Sequence, residues 1–193
     1  MSLYKHVRDA WKNPRDNLGD VWRDRLVEWR RQPSIVKAEN PTRIDKARSL
    51  GYKSKNGFSV VRGRVKRGGR KRRRPRGGRR PKRAGQNRFS PGKSYRRIVE
   101  ERISKKFPNL EVLGSYPVAE DAIHKWFEVV MVDPDHPEIE SDDDINWITG
   151  DEHRGRAERG KTPAGRKGRG LQNSGKGAEK ARPSKTSNDD REN

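Results

Sequence analysis

The chain has 193 residues, with 48 Lys or Arg against 27 Asp or Glu, a formal net charge of +21 and only 27% hydrophobic residues. Such a charge draws polyanions through counterion release, and apolar content this far below the roughly 45–50% of globular domains confines any core to part of the chain. The absence of cysteine excludes disulfides, thiolate metal sites and cysteine nucleophiles. With no signal-like leader and no membrane-length apolar run, the expectation is a soluble, cytoplasmic protein.

Leu3, Val7 and Ala10-Trp11 recur at helical spacing, and Leu18, Trp22, Leu26 and Trp29 follow. Two short amphipathic helices, broken at Pro14 and Pro33, account for this pattern. Their tryptophans share a face with leucines, which assigns them to packing rather than base stacking. Pro41-Thr42-Arg43-Ile44-Asp45 starts another short helix, with Thr42 as its N-cap. Phe58-Ser59-Val60-Val61 opens a strand whose later residues Arg62, Arg64 and Lys66 turn basic as it leaves the core.

Tyr95, Val99, Ile103 and Phe107 repeat every four residues, flanked by Arg96, Arg97, Glu100 and Glu101, and Pro108 ends this helix. Residues 110–118 and 125–133 read as strands, the second nearly continuously apolar and therefore central. Asp142, Asp143 and Asp144 are placed as caps of the segment Ile145-Asn146-Trp147-Ile148. The fold class is α+β: a small domain with a long basic internal loop and a basic C-terminal extension. Residues 1–61 supply the N-terminal helices and first strand, 62–93 a basic arm, 94–153 the rest of the core and 154–193 the extension.

The charge is segregated. Residues 46–99 contain 22 Lys or Arg and no acid, which leaves 26 basic residues to face all 27 acidic ones elsewhere. Glycine, proline and like-charge repulsion make the centre of this segment an extended, mobile arm in isolation. Its preference for arginine suits RNA, because the guanidinium fork pairs bidentately with phosphate and stacks on unpaired bases. Residues 154–185 hold 11 basic and 2 acidic residues among glycines and read as a second arm. Between the arms, residues 133–152 carry nine acids and no Lys or Arg. This strip would be repelled by phosphate, so it is expected to face solvent or a basic protein neighbour.

Three patterns resemble catalytic or metal motifs and fail on context. Residues 155–162 match G-x-x-x-x-G-K-[ST], but Asp151-Glu152-His153-Arg154 replaces the apolar strand, and Pro163 and Gly165 interrupt the following helix. Asp142-Asp143-Asp144 lacks the glycine and terminal glutamate of a calcium loop. Asp133, Asp135 and His136 lie between Pro134 and Pro137, which favours a turn over a metal site. No catalytic residue, metal site or cofactor is assigned.

Several blocks carry a family resemblance: Pro41-Thr42-Arg43-Ile44-Asp45-Lys46-Ala47-Arg48, Gly51-Tyr52-Lys53, Gly68-Gly69-Arg70-Lys71-Arg72, Glu100-Glu101-Arg102 and Val112-Leu113-Gly114-Ser115-Tyr116. Phe127-Glu128-Val129 with Asp133-Pro134, Ala164-Gly165-Arg166-Lys167 with Arg169-Gly170-Leu171, and Gly175-Lys176-Gly177 complete the set in order. Together they resemble the archaeal and eukaryotic large-subunit ribosomal protein fifteen, the fifteen-e family, in its archaeal form. The resemblance implies a mixed or antiparallel sheet with flanking helices, binding to large-subunit ribosomal RNA beside other ribosomal proteins, and no catalysis, cofactor, membrane or small-molecule substrate.

The expected RNA-binding residues are Arg43, Lys46, Arg48 and Lys53 beside the core. In the central arm they are Arg62, Arg64, Lys66, Arg67, Arg70, Lys71, Arg72, Arg73, Arg74, Arg76, Arg79, Arg80, Lys82 and Arg83, and in the extension Arg166, Lys167 and Arg169. A DNA-compacting chromosomal protein is the alternative that composition permits, and a nucleotide hydrolase using Lys161 is a remote third.

Overall fold

A computed structural model describes residues 3–70, 73–85 and 90–173. Helices α1 (Leu3–Ala10) and α2 (Pro14–Arg31) open the chain, and Gly19, at φ +47°, kinks α2. Strand β1 (Ile35–Ala38) and helix α3 (Ile44–Ser49) lead into β2 (Phe58–Lys66). Beyond the basic loop, which carries the single turn α4 (Pro81–Ala84), come α5 (Tyr95–Lys106), β3 (Glu111–Glu120) and β4 (His124–Val132). The turn α6 (Pro137–Glu140), two 3-10 turns (Asn146–Thr149 and Asp151–His153) and α7 (Pro163–Gly168) follow.

The four strands form an antiparallel sheet in the order β1-β2-β4-β3. β4 is central because it pairs along its whole length with both neighbours, from Phe58 opposite Val132 to Lys66 opposite His124 on one side. Side chains alternate across a pleated strand, so β4 feeds two cores. Phe127, Val129 and Met131 join Val61, Val65, Val99, Ile103 and Val112 under α5. Trp126, Val130 and Val132 join Trp22 and Trp29 of α2 on the other face. The Trp29 and Trp126 rings lie 6.4 Å apart, and truncating either would cost about 3–5 kcal/mol. Gly63 lets α5 approach: a Cβ there would stand 2.6 Å from Val99. Ser94 caps α5 by accepting from the Arg97 N–H at 3.3 Å.

Four sequence expectations differ from this structure, and one strand was not expected at all. β2 does not leave the core after Val61 but pairs with β4 as far as Lys66, which places Arg62, Arg64 and Lys66 in the sheet. β1 carries too short an apolar run to stand out, and it pairs with β2 as the edge strand. Thr42 is not an N-cap; α3 starts at Ile44, and the Thr42 hydroxyl turns instead to Glu128. The aspartates do not cap the turn at Asn146, whose preceding residue is Ile145 with no side-chain cap bond. The start of the extension is no free arm, since Arg156, Ala157, Thr162 and Ala164 are buried against the body.

Candidate nucleic-acid interface

Several cations expected to meet RNA are engaged within the fold. The Arg43 guanidinium lies 5.0 Å from the Trp11 ring centroid and pairs with buried Asp45 at 3.1 Å. Arg62 leaves β2 on the tryptophan face, 4.3 Å from the Trp29 centroid, and donates to Gln32 at 2.9 Å. Burial lowers its pKa, with Glu128 3.7 Å away acting in the opposite sense. Arg64 donates to the carbonyls of Trp29 and Arg30, at 3.3 and 2.7 Å, and fastens the end of α2 to the sheet. Lys53 donates to Asp142 at 2.8 Å and Asp144 at 2.7 Å, and these bonds raise its pKa.

Other expected residues are available. Lys46 and Arg48 are exposed on α3, with the Arg48 guanidinium 5.8 Å from the Tyr4 ring centroid. Lys66 is exposed at the end of β2, and Arg67 is exposed with one bond to the Asp121 carbonyl at 2.8 Å. Arg70, Arg73, Arg74, Arg76, Arg79, Arg80, Lys82 and Arg83 are all exposed, and no side-chain hydrogen bond or ion pair occupies any of these eight among the described residues. Lys71 and Arg72 lie outside the described residues. Arg166 and Lys167 are exposed on α7, and Arg169 is half-buried at its C-terminal end.

The acidic strip is partly neutralised from within. Asp142 accepts from Lys53 and, at 2.5 Å, from Lys55, and these bonds hold its carboxyl well below the usual range. Asp135 pairs with Arg154 at 3.2 Å. Glu140, Asp143, Asp144, Asp151 and Glu152 remain exposed on that side.

Two features escaped sequence reasoning. Arg102 is exposed on α5 without a side-chain partner among the described residues; its position one turn beyond half-buried Ile98 was the available signal. Glu100, expected on the flank of α5, is fully buried and accepts from Ser115 at 2.5 Å and Thr162 at 2.6 Å. Burial raises its pKa, and the two hydroxyls with Arg96 and Arg97 only partly oppose this.

The family model described as Ribosomal L15 matches residues 2–188. The chain belongs to the Ribosomal L15 family. "Large ribosomal subunit protein eL15" of Methanospirillum hungatei JF-1 is 54% identical over 192 residues, covering 98% of this chain and 97% of its own length. A protein of the same name from Methanocella arvoryzae is 51% identical over 191 residues, with the same coverage.

The nucleotide-loop pattern is put to structural use in this Ribosomal L15 chain. Lys161 donates to the Glu152 carbonyl at 2.5 Å, and the Thr162 hydroxyl is shared between Glu100 and the Gly165 N–H. The positions that would hold a triphosphate and its metal here close the C-terminal segment onto α5. A Cβ on Gly165 would stand 2.5 Å from the Gly160 Cα, so α7 packs directly against the backbone of this loop.

Proposed function

We propose that this chain, as a structural constituent of the large ribosomal subunit, binds and stabilises folded ribosomal RNA chiefly through its arm. The observation that carries this is the row of eight exposed arm cations with no partner among the described residues, set beside body arginines that the fold consumes. Phosphates supply the missing counter-charge, release counterions and neutralise RNA segments that would otherwise repel one another. A-form helices offer shape, phosphates and 2′-hydroxyls more than base edges, so recognition is largely by shape.

Lys46, Arg48, Lys66 and Arg67 extend the cationic surface onto the body, with Arg166, Lys167 and Arg169 on α7. Arg43, Lys53, Arg62 and Arg64 act from inside, fixing α2, α3 and the acidic turn in place. The exposed carboxylates Glu140, Asp143, Asp144, Asp151 and Glu152 face away from phosphate and toward the basic surface of a neighbouring ribosomal protein.

A sucrose gradient of cell lysate tests the reading. Co-migration with large subunits that persists in high salt is expected. Free protein, or protein that travels with DNA, would overturn it.

A further inference from the structure

Two cavities meet at the end of β2 and share Val65, Lys66 and Arg102 as walls. The larger, about 780 Å³, is completed by Tyr95 and Ile98 of α5 and by the two flanks of the arm, with Arg70 and Lys93 at its edge. The smaller, about 400 Å³, adds Ser34, Arg64 and His124. No carboxylate lines either one. Lys93 is tied to Glu101 at 2.7 Å, whereas Lys66, Arg70 and Arg102 have no side-chain partner among the described residues. The Tyr95 ring is fixed, because its hydroxyl donates to the Gly68 carbonyl at 3.0 Å and accepts from the Gly68 N–H at 2.8 Å.

We infer that the larger cavity is a seat for one unpaired nucleotide of the bound RNA, with Lys66 and Arg102 clamping its phosphate. The inference rests on the ribosomal-RNA reading and adds a single-strand site to it. The volume falls within the roughly 300–1,000 Å³ of sites that enclose small ligands. The wall combines an immobilised aromatic ring with aliphatic Val65 and Ile98, which suits the face of a base, and unpaired nucleotides are the ones whose bases can be splayed out to stack. Lys66, Arg70 and Arg102 bring positive charge that no partner among the described residues offsets, which suits phosphate and offers nothing to an uncharged apolar peptide. The smaller cavity, walled by the same Lys66 and Arg102, receives the adjoining phosphate.

The test uses the full chain and two probes: an oligoadenylate single strand carrying one 2-aminopurine, and an A-form RNA duplex. The single strand is expected to bind with quenched 2-aminopurine fluorescence. Arg102→Gln and, independently, Lys66→Gln should each weaken it about tenfold, the size of one lost charge-assisted contact, and relieve the quenching. Duplex affinity should change by no more than about twofold in Arg102→Gln, whereas Lys66→Gln, which also removes a charge from the general cationic surface, should lose clearly less on the duplex than on the single strand. An arm variant carrying Arg73→Gln, Arg74→Gln and Arg76→Gln should weaken both probes alike and keep the quenching at saturation. Equal losses on both probes in the Arg102 and Lys66 variants, an unquenched wild-type complex, or displacement by oligoglutamate as readily as by RNA would each overturn the seat alone. A wild-type chain that binds neither probe would overturn the seat together with the reading beneath it.

Discussion

Thr42 and Glu128 lie 86 positions apart and meet on the tryptophan face of the sheet: the Thr42 N–H donates to Glu128 Oε2 at 2.9 Å, and its hydroxyl donates to Oε1. Tyr116 donates to the same carboxylate at 2.8 Å, and Arg62 stands 3.7 Å away. A fully buried charge in the central strand is thereby given three donors and a cation, which is the condition for a buried carboxylate to be tolerated. Thr42→Val removes one donor and should cost about 1–3 kcal/mol. Glu128→Leu strands Arg62, Tyr116 and the Thr42 N–H together and should cost about 3–5 kcal/mol. Urea unfolding of the two variants and their double mutant should give a strongly non-additive cycle; additive losses would mean that the network is not coupled.

Glu100 makes a pH-dependent counterpart on the other face. Its carboxyl is buried between Ser115 and Thr162, and burial raises its pKa. The folded state therefore holds this proton more tightly than the unfolded chain does. Stability from this group is complete below the unfolded value of about 4.3 and is lost as pH rises through the raised folded value. Glu100→Gln is neutral at every pH, so its stability relative to the wild type should increase across that window. Urea midpoints at pH 4 and pH 7 check this, and a difference that shrinks as pH rises would contradict the sign.

The sheet and α5 were legible in the sequence because apolar periodicity reports burial directly: Val99 and Ile103 on α5, and the run from Trp126 to Val132, sit where their spacing puts them. The strand β2 was half legible, since its basic residues mimic an exit from the core. Arg62 and Arg64 stay in the sheet by lying against Trp29 and bonding the end of α2, contacts that no local pattern encodes. The buried Thr162 and Arg156 were hidden for a similar reason. Their partners, Glu100 for one and Glu111 with the Val112 carbonyl for the other, are distant in sequence. Free and consumed arginines look identical in a sequence, so the candidate site could be named as a class but not sorted.

That sorting is testable at single residues. Arg43 pairs with buried Asp45 beside Trp11, and Arg43→Ala should cost roughly 3 kcal/mol, the lower end for a broken buried pair. Arg74 is exposed without a partner among the described residues, and Arg74→Ala should leave stability within about 0.5 kcal/mol while weakening RNA binding. Thermal unfolding and RNA titration on the same two samples should show these opposite profiles.

The acidic turn should respond to neutralisation through its own lysines. Asp142 holds Lys53 and Lys55, and those bonds lower its pKa. Its contribution to stability is therefore present above the ordinary carboxylate range and is lost as pH falls through the lowered value. Replacing Asp142, Asp143 and Asp144 together by Asn releases the two lysines and removes three repelling charges. Stability should fall modestly, and RNA affinity should hold or rise slightly. A large loss of RNA binding would show that the turn itself bridges to RNA.

The arm separates folding from function most cleanly. Its described part between Arg70 and Gly85 is exposed throughout and carries one helical turn, so it adds little burial to offset a conformational entropy of about 1–2 kcal/mol per fixed residue. Replacing residues 69–91 by a short Gly-Ser turn should therefore leave β2, α5 and β4 intact, because their cores draw on residues on either side of that cut. Binding should change in kind. If the arm contacts about ten phosphates, log affinity should fall against log salt with a slope near −9 on duplex-like RNA or −7 on single strands. The shortened chain should show a much flatter slope. Amide exchange should find residues 73–85 of the full chain unprotected alone and protected on RNA, with α5 and β4 protected in both states. A slope that survives removal of the arm would move the principal RNA site to the exposed cations of the body, such as Lys46 and Arg48 on α3 and Arg166 and Lys167 on α7.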